Sequence, residues 1–186
     1  MSVDDFRDFF KPEKEKKDYC INDVIVTTLE MLNPTYSQYD LCAEFNNEVK
    51  FYSNGFPNEL GQVLVNIVNN AKDALVEQQI KNKEIIITIE PSVNTEKYQF
   101  VIKILDNAGG IPIAIKDKIF EPYFTTKDKK NGSGLGLYMT KMIIERHMQG
   151  QLNVENKADG TVFEISLMDT EILASDIKEH DLKEID

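Results

Sequence analysis

The sequence predicts an α+β fold: a two-layer sandwich in which helices cover one face of a mixed, mostly antiparallel sheet. Two observations carry this. Apolar residues recur at helical spacing in two strong segments, near 57–80 and 134–148. The strand-like segments follow one another directly, in pairs, which favours antiparallel pairing. Single alternation of strand and helix, the mark of a doubly wound parallel sheet, is missing.

The elements read as follows. "VDDFRDFF" resembles the last turns of a helix, with Phe6, Phe9 and Phe10 three and four apart; Pro12 ends it and "KPEKEKK" is a charged connector. A compact domain runs from 18 to 168. "INDVIVTTLEML" predicts a helix capped by Asn22 and closed before Pro34. "YDLCAEF" and "EVKFYS" predict a hairpin about the polar "NN" turn. "FPNELGQVLVNIVNNAKDALVEQQI" is the strongest helix, with Leu60, Val63, Leu64, Ile67, Val68, Ala71 and Leu75 as its buried stripe.

"KEIIITIEPS" and "KYQFVIKILDN" are strands turning through "SVNTE". Positions 107 to 133 read as irregular, with a short helix at "PIAIKDKIF". "GLGLYMTKMIIERHM" is the second strong helix, and "GQLNVEN" and "GTVFEISL" are closing strands about "KADG". The acidic segment 169–186 reads as a frayed extension, with a docking helix as the alternative. No internal repeat is visible.

Composition excludes some functions. A hydrophobic content of 41% across 186 residues supports one buried core. The net charge of −11 argues against nucleic-acid binding, which needs a basic face. It leaves room for a nucleotide, since a few local donors and a metal suffice. No apolar run approaches the roughly 18 residues of a membrane span, and the N-terminus has no signal-peptide core. Cys20 and Cys42 lack metal-ligand spacing and read as reduced, buried thiols of a cytoplasmic protein.

Three stretches carry candidate chemistry. On the 57–80 helix a second stripe runs through Glu59, Gln62, Asn66, Asn70, Asp73 and Glu77. Its centre is two asparagines, modest helix formers that supply neutral oxygen ligands and amide donors; a plain solvated face is the alternative. Asn70 would suit Mg²⁺, which prefers oxygen and keeps substrate phosphates in its shell. In "ILDNAGGIP", Asp106 sits where a strand enters a glycine turn, placed to accept from an amino group while Gly109 and Gly110 admit a flat ligand. The alternative is an ordinary Asp-Asn turn.

"FEPYFTTKDKKNGSGLGL" has Phe120, Tyr123 and Phe124 as apolar anchors of a loop suited to a lid. Lys127, Lys129 and Lys130 bring positive charge beside Gly132, Gly134 and Gly136, which open a helix. Free N–H groups at a helix start favour phosphate. The Lys-Ser or Lys-Thr ending of a Walker A loop is missing.

Together "NELGQVLVNIVNNAKDAL", "DNAGGIP", "FEPYFTTK" and "GSGLGLYMTKMIIERH" resemble the N, G1, F and G2 boxes of the catalytic ATP-binding domain of sensor histidine kinases. That superfamily includes DNA gyrase, the mismatch-repair ATPases and a heat-shock chaperone. The resemblance covers positions 20 to 168, with four motifs in order. It implies a Bergerat-type sandwich with a mobile ATP lid and Mg-ATP as cofactor. Asn70 would be the metal ligand, with Asn66 near the phosphates as the second catalytic residue and Lys72 assisting. Asp106 would accept the adenine amino group beside Gly110, supported by Thr161. Gly132, Gly134 and Gly136 would hold the triphosphate, with Phe120 and Phe124 anchoring the lid. The implied ATP-binding set also includes Asp73, Ile111, Thr125, Thr126, Lys127, Ser133, Leu135 and Leu137. Ala108 departs from the family where many relatives have the first G1 glycine; the change implies reduced backbone freedom and a retained site.

The resemblance implies γ-phosphoryl transfer to a histidine on a separate dimerisation hairpin, in two-component signalling with a response-regulator receiver domain. Neither His147, in "IIERHMQG", nor His180 has acceptor context. His147 suits the end of a helix, where the dipole favours positive charge. Residues 1–17 are expected to be the end of the acceptor hairpin and its connector, 18–168 the catalytic domain, and 169–186 an acidic tail. The expectation is therefore a fragment that binds Mg-ATP and does not phosphorylate itself, as a monomer in the cytoplasm, including as the cytoplasmic part of a membrane-anchored sensor. No nucleic-acid or membrane contact is expected. Competing readings are a hydrolytic ATPase of the same fold, a related serine kinase and a non-catalytic nucleotide sensor.

Overall fold

The structure is a computed structural model and describes residues 15–47, 49–93, 99–127 and 132–167. The readings made for 1–14, for the turn at 94–98, for Lys129 and Lys130, and for the tail lie outside these residues.

Strand β1 (Lys17–Cys20) leads into helix α1 (Ile21–Tyr36), a short 3₁₀ turn (Ser37–Tyr39) and strand β2 (Leu41–Phe45). Strand β3 (Tyr52–Gly55) precedes helix α2 (Pro57–Glu77), and β4 (Lys83–Pro91) and β5 (Phe100–Asp106) follow. A single turn, α3 (Ile113–Lys116), and helix α4 (Gly136–Met142) come before β6 (Gln151–Lys157) and β7 (Gly160–Leu167). α4 continues as a π-helical turn over Ile143–His147, where the Met148 N–H reaches the Ile143 carbonyl at 2.9 Å.

The main sheet has the order β2-β4-β5-β7-β6. Its three inner and closing pairs are antiparallel, and β2–β4 is parallel. The mixed, mostly antiparallel expectation holds. Ile85, Ile87 and Ile89 on β4 and Phe100, Ile102 and Ile104 on β5 point to the helices, each at most 5% exposed. On the opposite face Glu90 and Lys103 form an exposed ion pair. Pro57 opens α2, where its missing N–H costs nothing. The predicted stripe from Leu60 to Leu75 is buried throughout, so this helix is fixed to the sheet along its length.

Several local expectations are corrected. β2 and β3 do not form a hairpin: β2 pairs with β4, and β3 pairs antiparallel with β1 in a separate two-stranded ribbon. Asn22 lies inside α1 and caps nothing. It is buried, and its amide donates to the Val49 carbonyl and accepts from the Phe51 N–H, fixing the link between the strands. Pro34 lies within α1, which runs on to Tyr36. Cys20 is half-buried and Cys42 exposed, so the expectation of buried thiols is corrected. Tyr123 is 76% exposed, so its ring is not a buried apolar anchor of the loop. No helix among the described residues is long and apolar enough to cross a membrane.

Candidate functional site

A cavity of about 530 Å³ opens between α2, the turn after β5 and the segment leading to α4. α2 gives it Asn70, Ala71, Ala74, Glu77 and Gln78; the β5 turn gives Asp106, Ala108, Gly110, Ile111 and Pro112. Ile115, Ile119, Phe124, Thr125, Thr126 and Lys127 form another wall, with Gly132, Ser133, Gly134, Gly136 and Leu137 beside them and Thr161 and Phe163 behind.

Asp106 is where β5's alternation meets chemistry. It occupies the same inward row as Ile102 and Ile104, so the strand delivers a carboxylate to a position 5% exposed. Burial pushes its pKa up, opposed by backbone hydrogen bonds from Ala108 and Thr161. The Ala108 N–H donates to Oδ1 at 2.9 Å. Thr161 stands opposite Asp106 in the β5–β7 register, 4% exposed. A buried carboxylate in a slot lined by Ala71, Ala74, Ile111 and Phe163 fits a flat heterocycle carrying an amino group.

The turn after Asp106 needs left-handed backbone at Gly109 and Gly110, with φ of 86° and 88°. Ala108 lies before these positions, outside the left-handed region, so its Cβ costs the turn no strain. Asn107 joins the turn to β4, accepting from the Glu84 N–H and donating to the Asn82 carbonyl. Asn156 on β6 holds the backbone of Ile111. These two asparagines, and the apolar wall of Ala74, Ile115, Ile119 and Phe163, are absent from the sequence-predicted set. Nothing in the sequence singled them out, because their partners are set by strand pairing that it does not display.

The other end of the cavity is polar. The side chain of Lys127 reaches Asp73 Oδ2 at 2.5 Å and Asn70 Oδ1 at 3.3 Å. Lys72 takes the other Asp73 oxygen at 2.5 Å and lies 5.3 Å from the centre of the Tyr39 ring. Burial raises the Asp73 pKa, but the hydrogen bonds and charges of Lys127 and Lys72 outweigh it and hold the carboxyl below its ordinary value. The Asn70 oxygen thus already faces a cation, the Lys127 ammonium. No group of three or more His, Cys, Asp or Glu among the described residues could hold a metal. A divalent cation here would depend on an amide oxygen and the ligand's own phosphates, the usual habit of Mg²⁺.

Gly134 carries the glycine turn. Its φ is 67°, and a Cβ there would collide with the Tyr123 carbonyl. The Tyr123 N–H donates to the Gly134 carbonyl at 2.9 Å, so the two arms of the loop are joined at this point. α4 starts two residues later.

The structure places the remaining predicted residues around the rim. Asn66 donates its amide to Thr140 Oγ1 at 3.3 Å and the Gly136 carbonyl at 3.5 Å, tying α2 to the start of α4. Phe120 and Phe124 pack on the core, with the Lys141 ammonium 5.1 Å from the Phe120 ring centre. Leu135 precedes the first residue of α4. Asn66, Lys72, Asp73, Phe120 and Leu135 do not line the cavity themselves. His147 pairs with Glu59 at 3.1 Å, and neither reaches the cavity.

The family described as "Histidine kinase-, DNA gyrase B-, and HSP90-like ATPase" matches residues 55–171. Sporulation kinase A of Bacillus subtilis (strain 168) is 34% identical over 116 residues, which cover 62% of this chain and 17% of that protein. The chain therefore spans less than a fifth of this relative's length. The catalytic domain of histidine kinase ThkA superposes with a TM-score of 0.70 at 28% identity, covering 84% of this chain and 97% of that one. A structure of ThkA in complex with the response regulator protein TrrA matches with a TM-score of 0.64 at 27% identity, over 90% of this chain and 46% of that one.

Proposed function

The chain belongs to the histidine kinase-, DNA gyrase B- and HSP90-like ATPase family, as a catalytic domain of the sensor histidine kinase type, and from that premise we propose that it binds Mg-ATP and passes the γ-phosphoryl group to a histidine on a separate helical hairpin. The observation that carries the reading is a single cavity lined at one end by buried Asp106 and at the other by Asn70, Lys127 and the glycine turn. In this reading Asp106 would recognise the base and the glycine turn the phosphates, at opposite ends of the same cavity.

In this reading Asp106 accepts from the adenine amino group, with Gly110 and Ile111 against the ring and Thr161 behind it. The N–H groups from Gly132 to Gly136 bind the triphosphate. Thr125, Thr126, Ser133 and Leu137 shape the phosphate end. Asn70 would hold Mg²⁺ through its side-chain oxygen, and the ion when bound would supply charge neutralisation. Asn66 fixes α4, and so the glycine turn, relative to α2. Catalysis of phosphoryl transfer is mainly positioning and electrostatics, and these residues supply both.

Transfer is favoured over hydrolysis. Asn66 stands where hydrolytic relatives would need a water-activating carboxylate, and an amide is no general base. Glu59 is committed to His147, away from the cavity. The complex of ThkA with TrrA supports a response-regulator receiver domain as the eventual partner.

The test mixes the chain with the acceptor hairpin of its parent kinase, Mg²⁺ and γ-labelled ATP. Acid-labile phosphate on the hairpin is expected. Bound ATP with no labelled hairpin and steady release of inorganic phosphate would replace the kinase reading by an ATPase. Binding with neither product would leave a nucleotide sensor.

A further inference from the structure

We propose that Lys127 is a built-in counter-cation: its ammonium neutralises metal-free nucleotide phosphates and yields its place beside Asn70 when a divalent cation arrives. The inference rests on the nucleotide-binding reading above and adds an ion exchange to it.

Three features of the site support it. First, Lys127 Nζ lies 3.3 Å from Asn70 Oδ1, the oxygen assigned to the metal. An ammonium and a metal close to that one oxygen would repel each other, so binding of one disfavours the other. Second, Lys127 can leave without stranding a charge. Asp73 holds Lys127 on one oxygen and Lys72 on the other, both at 2.5 Å. When Lys127 moves to a phosphate, Asp73 keeps Lys72, and an unpaired, half-buried carboxylate is avoided. Within this trio two ammonium groups share one carboxylate, so it carries one surplus positive charge, while Glu77 adds a negative one elsewhere in the lining. Third, the Lys127 backbone has a local tie: its N–H donates to Thr125 Oγ1 at 3.1 Å, two residues back.

The distinguishing quantity is the metal dependence of nucleotide affinity. If Lys127 substitutes for the cation, removing Mg²⁺ costs the wild type less than it costs a chain without the ammonium. Calorimetric titration of a non-hydrolysable ATP analogue, in Mg²⁺ and then in EDTA, measures this for the wild type, Lys127→Met and Lys127→Arg. The ratio of metal-free to metal-bound Kd is expected to be about tenfold or more larger in Lys127→Met than in the wild type, the worth of one charge-assisted hydrogen bond. Lys127→Arg, which keeps the charge, should stay near the wild-type ratio. Equal ratios in wild type and Lys127→Met would overturn the exchange. So would parallel losses with and without Mg²⁺, which would make Lys127 a plain phosphate ligand in both states. Failure of the wild type to bind the analogue in Mg²⁺ would instead overturn the nucleotide reading itself. Circular dichroism of each variant separates loss of binding from loss of fold.

Discussion

Asn156 holds both backbone groups of Ile111: its Nδ2 donates to the Ile111 carbonyl at 2.7 Å, and its Oδ1 accepts the Ile111 N–H at 2.8 Å. A side chain on β6 thus fixes the exit of the turn that follows Asp106. Asn156→Ala removes both bonds, worth about 1–2 kcal/mol together. The expected result is roughly tenfold weaker nucleotide binding with the sheet intact. Unchanged affinity by calorimetry would show that the turn holds its shape unaided.

Asp106→Asn separates affinity from stability. The amide can still accept from the Ala108 N–H, but it also turns a donor toward a ligand's amino group. Nucleotide affinity should fall on the order of 100-fold. Stability should shift with pH. The folded pKa of Asp106 is raised by burial, so in the wild type the folded state is penalised as pH rises from the unfolded value of about 4 through the folded one. Above that window the penalty is complete. Asn carries none, though its single oxygen keeps only one of the backbone hydrogen bonds from Ala108 and Thr161, so the variant's melting temperature relative to the wild type should rise from about pH 4 to neutral pH. A relative melting temperature that does not rise with pH would contradict the raised pKa.

Gly134→Ala places a methyl group against the Tyr123 carbonyl and demands a left-handed φ from alanine. The strain is about 1–3 kcal/mol. Because the same residue joins the two arms of the loop, the cost should appear as weaker nucleotide binding rather than as a lower melting temperature. Thermal melts with and without nucleotide check both halves of this statement.

Tyr36 tests the opposite case. Its ring is 1% exposed, and its hydroxyl is the buried side-chain polar atom without a hydrogen-bond partner among the described residues. Burial, and then the nearby Asp73 charge, push the phenol above its ordinary pKa. Tyr36→Phe removes an unsatisfied group while keeping the ring, so the variant should be as stable as the wild type or gain about 1 kcal/mol in urea unfolding. A clear loss would show that the hydroxyl has a partner.

How far these features were legible depends on what each residue's role requires. The α2 stripe was legible because burial along one helix face imposes a spacing that nothing else imitates. The strand end at Asp106 and the glycine turn after it were legible because glycine is the residue that readily takes the left-handed backbone found at Gly109 and Gly110. The pairing of β2 was not: "LCAEF" reads as a strand, but nothing within it distinguishes a neighbouring hairpin partner from β4 beyond a whole helix. Asn22 misled for a related reason. An asparagine near a helix start satisfies the rule for a cap, and only the folded chain shows its amide spent on Val49 and Phe51. Asn156 was invisible because a polar residue on an edge strand is ordinary until its partner is known.

The parallel pairing of β2 with β4 bears on how the chain reaches this state. β2 emerges with no strand to join, since β3 is committed to β1 and α2 must still be made. The edge of the sheet is therefore closed by a non-local contact, the kind whose loop-closure entropy slows folding. During synthesis, an unpaired strand next to a strongly apolar α2 is the segment most exposed to wrong association. Refolding of the isolated domain should accordingly be slower than its helical content suggests, and substitutions on β2 should act chiefly on that rate.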